Sequence, residues 1–172
     1  GYVPANAEQS LSQNLSAVLI TPPKTPADRQ WTPPNATLGP GQPPDIISRT
    51  ERGAGSGMRC GGPYYGNGVR AGVVHHTATG NDYAPEDSAA ILRSIYAYHT
   101  VTLGWCDIAY NALVDKYGQV FEGRAGGITK DVMGSHTGGF NTDVWGVSMI
   151  GDFEDDPPPD IMIRTVGRLL GW

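Results

Sequence analysis

The sequence predicts an α/β domain preceded by a proline-rich arm. Apolar runs of strand length alternate with segments of helical periodicity, and clusters of Gly and Pro separate them. Proline is concentrated at the start, where nine of the fourteen prolines precede Asp45. The 172 residues are enough for one ordinary domain and an extension. We therefore expect an arm over residues 1–44 and a folded domain over residues 45–172.

The arm contains too little apolar surface to offset the entropy of ordering it. Only four charged side chains accompany its prolines. We interpret it as a tether or wrapping segment with polyproline-like stretches, in which Gln9–Ile20 has the spacing for a short helix.

Each element of the domain has a local signal. The predicted elements are a Gly-rich loop over residues 53–68, a buried strand over Ala71–Thr79, a helix over Glu86–His99, a hairpin of Asp107–Asp115 and Gln119–Gly123, a strand over Gly146–Asp152, and a helix over Asp160–Trp172. β-branched residues indicate the first strand, and Pro85 in the first turn marks the start of the first helix. The last helix reaches Trp172 without a clear stop signal, so we expect a domain that is incomplete at its C-terminus.

Charge and composition exclude several classes of protein. Seventeen acidic and twelve basic side chains give a net charge of −5, which argues against a nucleic-acid-binding face. No run reaches the roughly 18 uninterrupted apolar residues that a membrane-spanning helix needs. Cys60 and Cys106 are too few for a disulfide-rich scaffold or a cysteine-only zinc site.

The four histidines are the first candidates for chemistry. His75 and His76 end a strand, and adjacent strand residues face opposite sides, so only one of them can enter a given cleft. Each is either a metal ligand or a hydrogen-bonded structural residue. His99 closes a helix, where its charge would suit the helix C-terminus. His136 lies in a polar loop, where it either contacts a substrate or caps a turn.

Two further positions have both a structural and a functional interpretation. Tyr110 shares a strand face with Ile108 and Ala112, so it is either a core tyrosine or a donor to a developing oxyanion. Glu122 and Arg124 flank Gly123, which suggests either a local ion pair or a clamp for a substrate carboxylate.

Four linked motifs together resemble those of the peptidoglycan recognition protein and type-2 N-acetylmuramoyl-L-alanine amidase family. They are VVHHTA (Val73–Ala78), YHT (Tyr98–Thr100), GWCDIAYNALVDKYGQVFEGR (Gly104–Arg124), and GSHTGGFN followed by GVSMIGDFE (Gly134–Glu154). The resemblance covers about Asp45 to Trp172, and the overall pattern is similar to cell-wall amidases of actinobacteria.

The resemblance implies a mixed central sheet with helices on both faces and a peptidoglycan groove, in a secreted or cell-wall-associated protein. Catalytic members are zinc hydrolases that cut the amide between N-acetylmuramic acid and L-alanine. By motif, His75 is a Zn²⁺ ligand, and Tyr110 assists at the zinc-bound water and the carbonyl. The residues expected in or beside the groove are His76, Thr77, Trp105, Arg124, His136, Thr137 and Asn141.

This sequence departs from the family pattern in two places. Arg52 stands where relatives usually have Trp, in the stretch Ser48–Gly53. The other two zinc ligands belong to a late segment, G-H-R-D followed by C-P-G, which does not occur before Trp172. We therefore expect a fragment with one zinc ligand that neither holds zinc tightly nor hydrolyses peptidoglycan.

A domain lacking that segment would also leave apolar side chains of its last helix under-covered. Those expected to be exposed are Ile161, Val166 and Leu169, and their exposure would favour self-association. The resemblance to an exported wall enzyme also suggests a Cys60–Cys106 disulfide, against the alternative of two reduced thiols.

The sequence is consistent with three functions. The first is a zinc amidase domain of which this chain is the larger part. The second is a peptidoglycan-recognition module without hydrolysis, and the presence of Tyr110 favours the enzyme over it. The third is a non-catalytic form in which the proline-rich arm packs over the uncovered surface.

Overall fold

The computed structural model describes residues 42–172. The predicted helix within Gln9–Ile20, and the arm as far as residue 41, lie outside the described residues.

A five-stranded mixed sheet forms the centre of the domain. Its strands are β1 (Ile46–Ile47), β2 (Ala71–His76), β3 (Ala112–Val114), β4 (Val120–Glu122) and β5 (Val144–Met149), in the spatial order β1-β4-β3-β5-β2. Strands β3 and β4 are antiparallel, as a hairpin requires, and the other three pairings are parallel. The carboxyl ends of β2, β3 and β5 therefore meet at one edge of the sheet.

Two α-helices cover the sheet, and shorter helical turns extend the first of them. Helix α1 spans Ser88–Ala97 and α2 spans Asp160–Gly171. A 3₁₀ turn over Pro85–Asp87 precedes α1, and a π-helical turn over Tyr98–Thr102 follows it. A further 3₁₀ turn, Ser56–Met58, interrupts the predicted Gly-rich loop. The predicted α/β class with a mixed sheet is confirmed.

The two faces of the sheet bury separate hydrophobic clusters. Leu113 of β3 packs with Leu92 and Tyr96 of α1. Its neighbours Ala112 and Val114 point to the other face, as strand alternation requires, and pack with residues of α2. The helices therefore lie on opposite faces, as the family resemblance implied.

The expected exposure of the last helix is wrong for two of the three residues. Val166 and Leu169 are buried, with 6% and 5% of their surface exposed, because they pack directly on the sheet. Ile161 is partly buried. The exposed apolar side chains at this end are instead Ile163, Leu170 and Trp172.

The predicted strand Asp107–Asp115 is wrong over its first half. Only Ala112–Val114 pair in the sheet. Asp107 is the cause: its carboxylate accepts hydrogen bonds from the backbone N–H of Ile108 (2.8 Å) and of Ala125 (2.9 Å). These local bonds hold the chain in an irregular loop before the strand begins. Tyr110 therefore stands outside the sheet and not on a strand face.

Arg52, which replaces the usual Trp, is fully buried. Its Nε donates to the carbonyl oxygen of Glu122, and its Nη2 donates to that of Gly123, both at 2.9 Å. Burial lowers the pKa of Arg52 to about 9. Its guanidinium thus joins the N-terminal segment to the end of β4.

Candidate functional site

A cleft opens where the carboxyl end of β2 faces the end of α1. Its volume is about 440 Å³. The residues that line it are Thr77, Ala78, Thr79, Ser94, Ile95, Tyr98, His99 and Tyr110. Clefts at the carboxyl ends of strands are where open α/β sheets usually bind ligands. A larger cavity, of about 620 Å³, lies beside α2, and no histidine lines it.

Beside the cleft, His75 and His136 contact each other through ring nitrogens. His75 Nε2 lies 3.1 Å from His136 Nδ1, which in turn lies 2.9 Å from Thr137 Oγ1. His75 is the fifth residue of β2 and stands beside Ser148 of β5 in the parallel register. Strand alternation turns the next residue, His76, to the opposite side.

Two glycines form the seat of the His136 ring. A Cβ on Gly146 would lie 2.4 Å from both Cδ2 and Nε2 of His136, and a Cβ on Gly134 would lie 2.3 Å from Cδ2. Asn141 orders the loop, because its Oδ1 accepts hydrogen bonds from the N–H groups of His136 (2.8 Å) and Thr137 (2.9 Å). The imidazole can therefore lie flat on β5 only because these positions have no side chain.

Tyr110 stands among three imidazoles. Its ring centroid is 5.6 Å from that of His75, 5.9 Å from that of His99 and 6.4 Å from that of His136. Burial raises the pKa of the Tyr110 hydroxyl, so it stays protonated at neutral pH. The nearby Ser148 hydroxyl offsets part of that shift, although Ser148 Oγ itself has no partner that meets hydrogen-bond geometry.

Asn111, the residue after Tyr110, holds this part of the chain in place through its own side chain. Its buried side chain donates to the Val132 carbonyl (2.7 Å) and accepts from the Gly146 N–H (2.8 Å). The Tyr-Asn pair of the third motif therefore combines a residue in the cleft with a buried anchor.

His99 is a site residue that the sequence interpretation missed. It is 7% exposed, its ring contacts that of Trp105 at 4.9 Å, and its Nδ1 accepts a hydrogen bond from the Ala109 N–H at 3.1 Å. Burial, with a smaller effect from the Arg124 charge, lowers the pKa of His99 to about 4. The expectation of a charged residue at a helix end is therefore wrong. The YHT motif was the available signal.

The imidazoles of the site are neutral at neutral pH. Burial is the main cause of the lowered pKa of both His75 and His136. The pKa of His136 falls to about 4. Each ring then has one N–H donor and one bare nitrogen acceptor. With the Tyr110 hydroxyl, these rings offer both hydrogen-bond donors and acceptors, and none of these four groups is charged.

Other predicted groove residues hold the surrounding loops. His76 Nδ1 accepts from the Phe153 N–H at 3.0 Å, and Thr77 Oγ1 accepts from the Gly151 N–H at 2.9 Å. Arg124 Nη1 donates to the Ile108 carbonyl (3.1 Å) and to Ser135 Oγ (3.0 Å). The structure therefore places His76 away from His75 and gives Arg124 partners within the protein.

A disulfide joins Cys60 to Cys106, directly after Trp105. The Cys60 N–H also donates to the Cys106 carbonyl at 3.1 Å. These bonds fasten the Gly-rich loop to the segment that contains Trp105, whose ring contacts that of His99.

The described residues offer few donors for a zinc ion. Residues 42–172 contain no group of three or more His, Cys, Asp or Glu side chains placed to hold a metal. A catalytic zinc site needs three protein ligands and an open position. His75 can supply one of them, so the described residues alone do not fit this metal.

A mixed sheet with a histidine–tyrosine cleft at its carboxyl edge defines an α/β domain with one candidate site. The chain belongs to the N-acetylmuramoyl-L-alanine amidase family (Amidase_2), whose pattern it matches over residues 65–172. The resemblance seen in the sequence is thereby confirmed at the level of the family.

Similar proteins carry the name peptidoglycan-recognition protein. Peptidoglycan-recognition protein SA of Drosophila melanogaster is 37% identical over 102 residues, which are 59% of this chain and 48% of that protein. Peptidoglycan recognition protein 1 of Mus musculus is 37% identical over 106 residues, 61% of this chain and 56% of that protein. The chain thus spans about half the length of these relatives.

Solved structures show the same architecture. Drosophila peptidoglycan recognition protein SA superposes with a TM-score of 0.65 at 32% identity, covering 75% of this chain and 70% of that one. Peptidoglycan recognition protein LE in complex with tracheal cytotoxin, a monomeric diaminopimelic acid-type peptidoglycan, gives 0.66 at 32% identity, covering 73% and 71%. Among residues 42–172, no helix has the length and apolarity to cross a membrane.

Proposed function

We propose that this domain binds a peptidoglycan fragment in the cleft beside Tyr110. The observation that supports the proposal most directly is the group of three neutral imidazoles around a protonated tyrosine at the carboxyl edge of the sheet. The complex of protein LE with a monomeric peptidoglycan supports the choice of ligand.

The chemistry of the cleft suits amides and sugars. Such ligands are uncharged along their backbone and present N–H, O–H and C=O groups, which need donors and acceptors of matched number. Tyr98 and Trp105, exposed by 47% and 39%, add aromatic surface beside His99. We further propose an extracytoplasmic location, because the Cys60–Cys106 disulfide persists in an oxidising compartment.

Calorimetric titration with a purified muropeptide tests the binding proposal. We expect saturable binding that His99→Ala weakens by about tenfold or more, because a buried donor and its aromatic contact are lost together. Ile163→Ala, on the exposed face of α2, is the matched control and should bind as the parent does. Equal affinities of the parent and His99→Ala for the muropeptide would show that the ligand does not bind in this cleft.

A second candidate is the zinc-dependent cleavage of the amide between N-acetylmuramic acid and L-alanine. His75 and Tyr110 favour it, because their rings lie 5.6 Å apart and the tyrosine keeps its proton to donate to an oxyanion. When bound, zinc would polarise the scissile carbonyl and activate a water. His75 would be one ligand, and residues outside 42–172 would have to supply the others.

Zinc titration and a muropeptide-release assay on this chain test the second candidate. We expect neither stoichiometric sub-micromolar binding nor turnover, because one imidazole competes poorly with buffer. Turnover with stoichiometric zinc would show that His136 or another residue completes a site. In a protein with all three ligands, Tyr110→Phe should lower kcat by about 10²-fold, with a smaller change in KM.

A further inference from the structure

Arg49 lies just after β1 and contacts two of the elements that surround the cleft. Its side chain is 13% exposed, and Nη1 donates to Asp107 Oδ1 at 3.1 Å and to the Gly123 carbonyl oxygen. The same guanidinium lies over the ring of Tyr96, with Cζ 5.0 Å from the ring centroid. Arg49 is therefore placed between the last turn of α1 and the loop that leads to Tyr110.

Asp107 organises that loop through its carboxylate. Oδ1 accepts a hydrogen bond from the Ile108 N–H at 2.8 Å, and Oδ2 accepts one from the Ala125 N–H at 2.9 Å. The side chain is only 5% exposed. A buried carboxylate is tolerated where it is both hydrogen-bonded and paired with a cation. The two N–H groups supply hydrogen bonds, and the guanidinium of Arg49 supplies the opposite charge.

Ala109 shows what depends on the position of this loop. It is 2% exposed and lies directly before Tyr110. Its N–H donates to His99 Nδ1 at 3.1 Å, and its carbonyl oxygen accepts from the Ser135 N–H at 2.9 Å. The backbone of Ala109 therefore joins Tyr110 to His99 on one side and to the loop that follows Ser135 on the other.

We propose that Arg49 is a positioning residue for the cleft: by pairing with Asp107, it holds the loop of Tyr110 where Ala109 bonds to His99. Removing one partner of a buried ion pair leaves a charge that is stabilised only by moving towards water. Such a movement of Asp107 would carry the loop with it. The Ala109–His99 hydrogen bond would then open more often than the rest of the fold.

Arg52 provides a matched control in the same segment of the chain. It is also buried, but its guanidinium donates to the carbonyl oxygens of Glu122 and Gly123, at the end of β4. Arg49→Gln and Arg52→Gln should both destabilise the fold, because each removes hydrogen bonds to buried acceptors. The proposal predicts that the Arg49 variant alone loosens the loop of Tyr110 relative to the centre of the sheet.

Amide hydrogen exchange of the ligand-free protein, followed by NMR, measures this difference. The Ala109 amide reports on the loop, and the amide of the fully buried Val147 in the inner strand β5 reports on global unfolding. In Arg49→Gln, the protection of Ala109 should fall at least about tenfold more than that of Val147. In Arg52→Gln, the two protection factors should fall together, to within about twofold of each other.

Two further variants separate the charge of Asp107 from the packing of Arg49. Combining Arg49→Gln with Asp107→Asn leaves two neutral amides, so the protection of Ala109 relative to Val147 should return to within about threefold of the parent value. Arg49→Lys keeps a positive charge but replaces the planar fork by one ammonium group, so it is the variant least prone to unfolding. Its Ala109 should lose about threefold in protection relative to Val147.

The inference rests on the proposed function only for the identity of the ligand. A purified muropeptide should bind about fivefold or more weakly to Arg49→Gln, and less than about twofold more weakly to Arg52→Gln, because a loosened loop must be ordered again on binding. An unchanged affinity in an Arg49→Gln variant with a loosened Ala109 would refute the ligand site and leave the positioning role intact. Equal losses of protection at Ala109 and Val147 in both Arg49 variants would overturn the positioning role. A double variant that recovers no protection at Ala109 would overturn it as well.

Discussion

The buried His99 should make the stability of the fold depend on pH below neutrality. Its pKa is about 4 in the folded protein and 6.5 in the unfolded chain. Between these values the unfolded chain binds a proton that the folded protein excludes. The contribution of His99 is therefore fully present above about pH 6.5, and it is lost as the pH falls towards 4.

The size of this effect follows from the two pKa values. A separation from 6.5 to about 4 corresponds to a loss of about 3 kcal/mol on going from pH 7 to pH 4, at about 1.4 kcal/mol per unit. The 7% exposure of His99 means that solvent screening reduces this figure little. A loss of this size is a large fraction of the stability of an ordinary domain.

His99→Asn removes the titrating group and keeps an acceptor near the Ala109 N–H. Urea unfolding of the parent and the variant should be followed from pH 7 to pH 4. The parent should lose about 3 kcal/mol more than the variant over this range, and the effects of carboxylates and of other histidines should largely cancel in the difference. Parallel curves for the two proteins would refute the assignment of His99 as a buried neutral base.

Further predictions test the glycine seat and the disulfide. Gly146→Ala should lower the free energy of unfolding by about 1–3 kcal/mol in urea, because its Cβ would lie 2.4 Å from the ring of His136. Gly167→Ala in α2 meets nothing within 4 Å and should instead stabilise by up to about 1 kcal/mol, so a loss at both sites would contradict the packing argument. Alkylation without reductant should find no free thiol by mass spectrometry, and replacing Cys60 and Cys106 by Ser should cost about 4 kcal/mol, since the bridge spans 46 residues.

The elements predictable from sequence are those whose signals are local. Helix α1 has its own periodicity and start signal, strand β2 has its β-branched residues, and the structure places both within a few residues of the prediction. The prediction that β2 is buried is wrong, because it lies at the edge of the sheet with Val74 exposed. The irregular loop at Tyr110 was not predictable in this way. Its conformation depends on Asp107, whose carboxylate bonds to Ala125 eighteen residues away, and no window of the sequence reveals that partner.

Only part of the candidate site could be predicted from the sequence, for the same reason. The motifs indicated His75, Tyr110 and His136, but their mutual geometry depends on the register of β2 with β5. The environment of His99 depends on Trp105 and Ala109, which fold back over it after the π-helical turn. Burial reverses the expected charge of His99, and burial is a property of the assembled fold.

Arg124 shows how geometry and electrostatics are coupled in this site. Its guanidinium donates to the Ile108 carbonyl and to Ser135 Oγ, and so it joins the loop that leads to Tyr110 with the loop that leads to His136. Its positive charge also adds to the lowering of the pKa of both His99 and His136. One half-buried cation therefore holds two loops together and helps to keep their imidazoles neutral. The clamp for a substrate carboxylate that the sequence suggested stays a prediction, because both of these bonds use only the Nη1 nitrogen of Arg124.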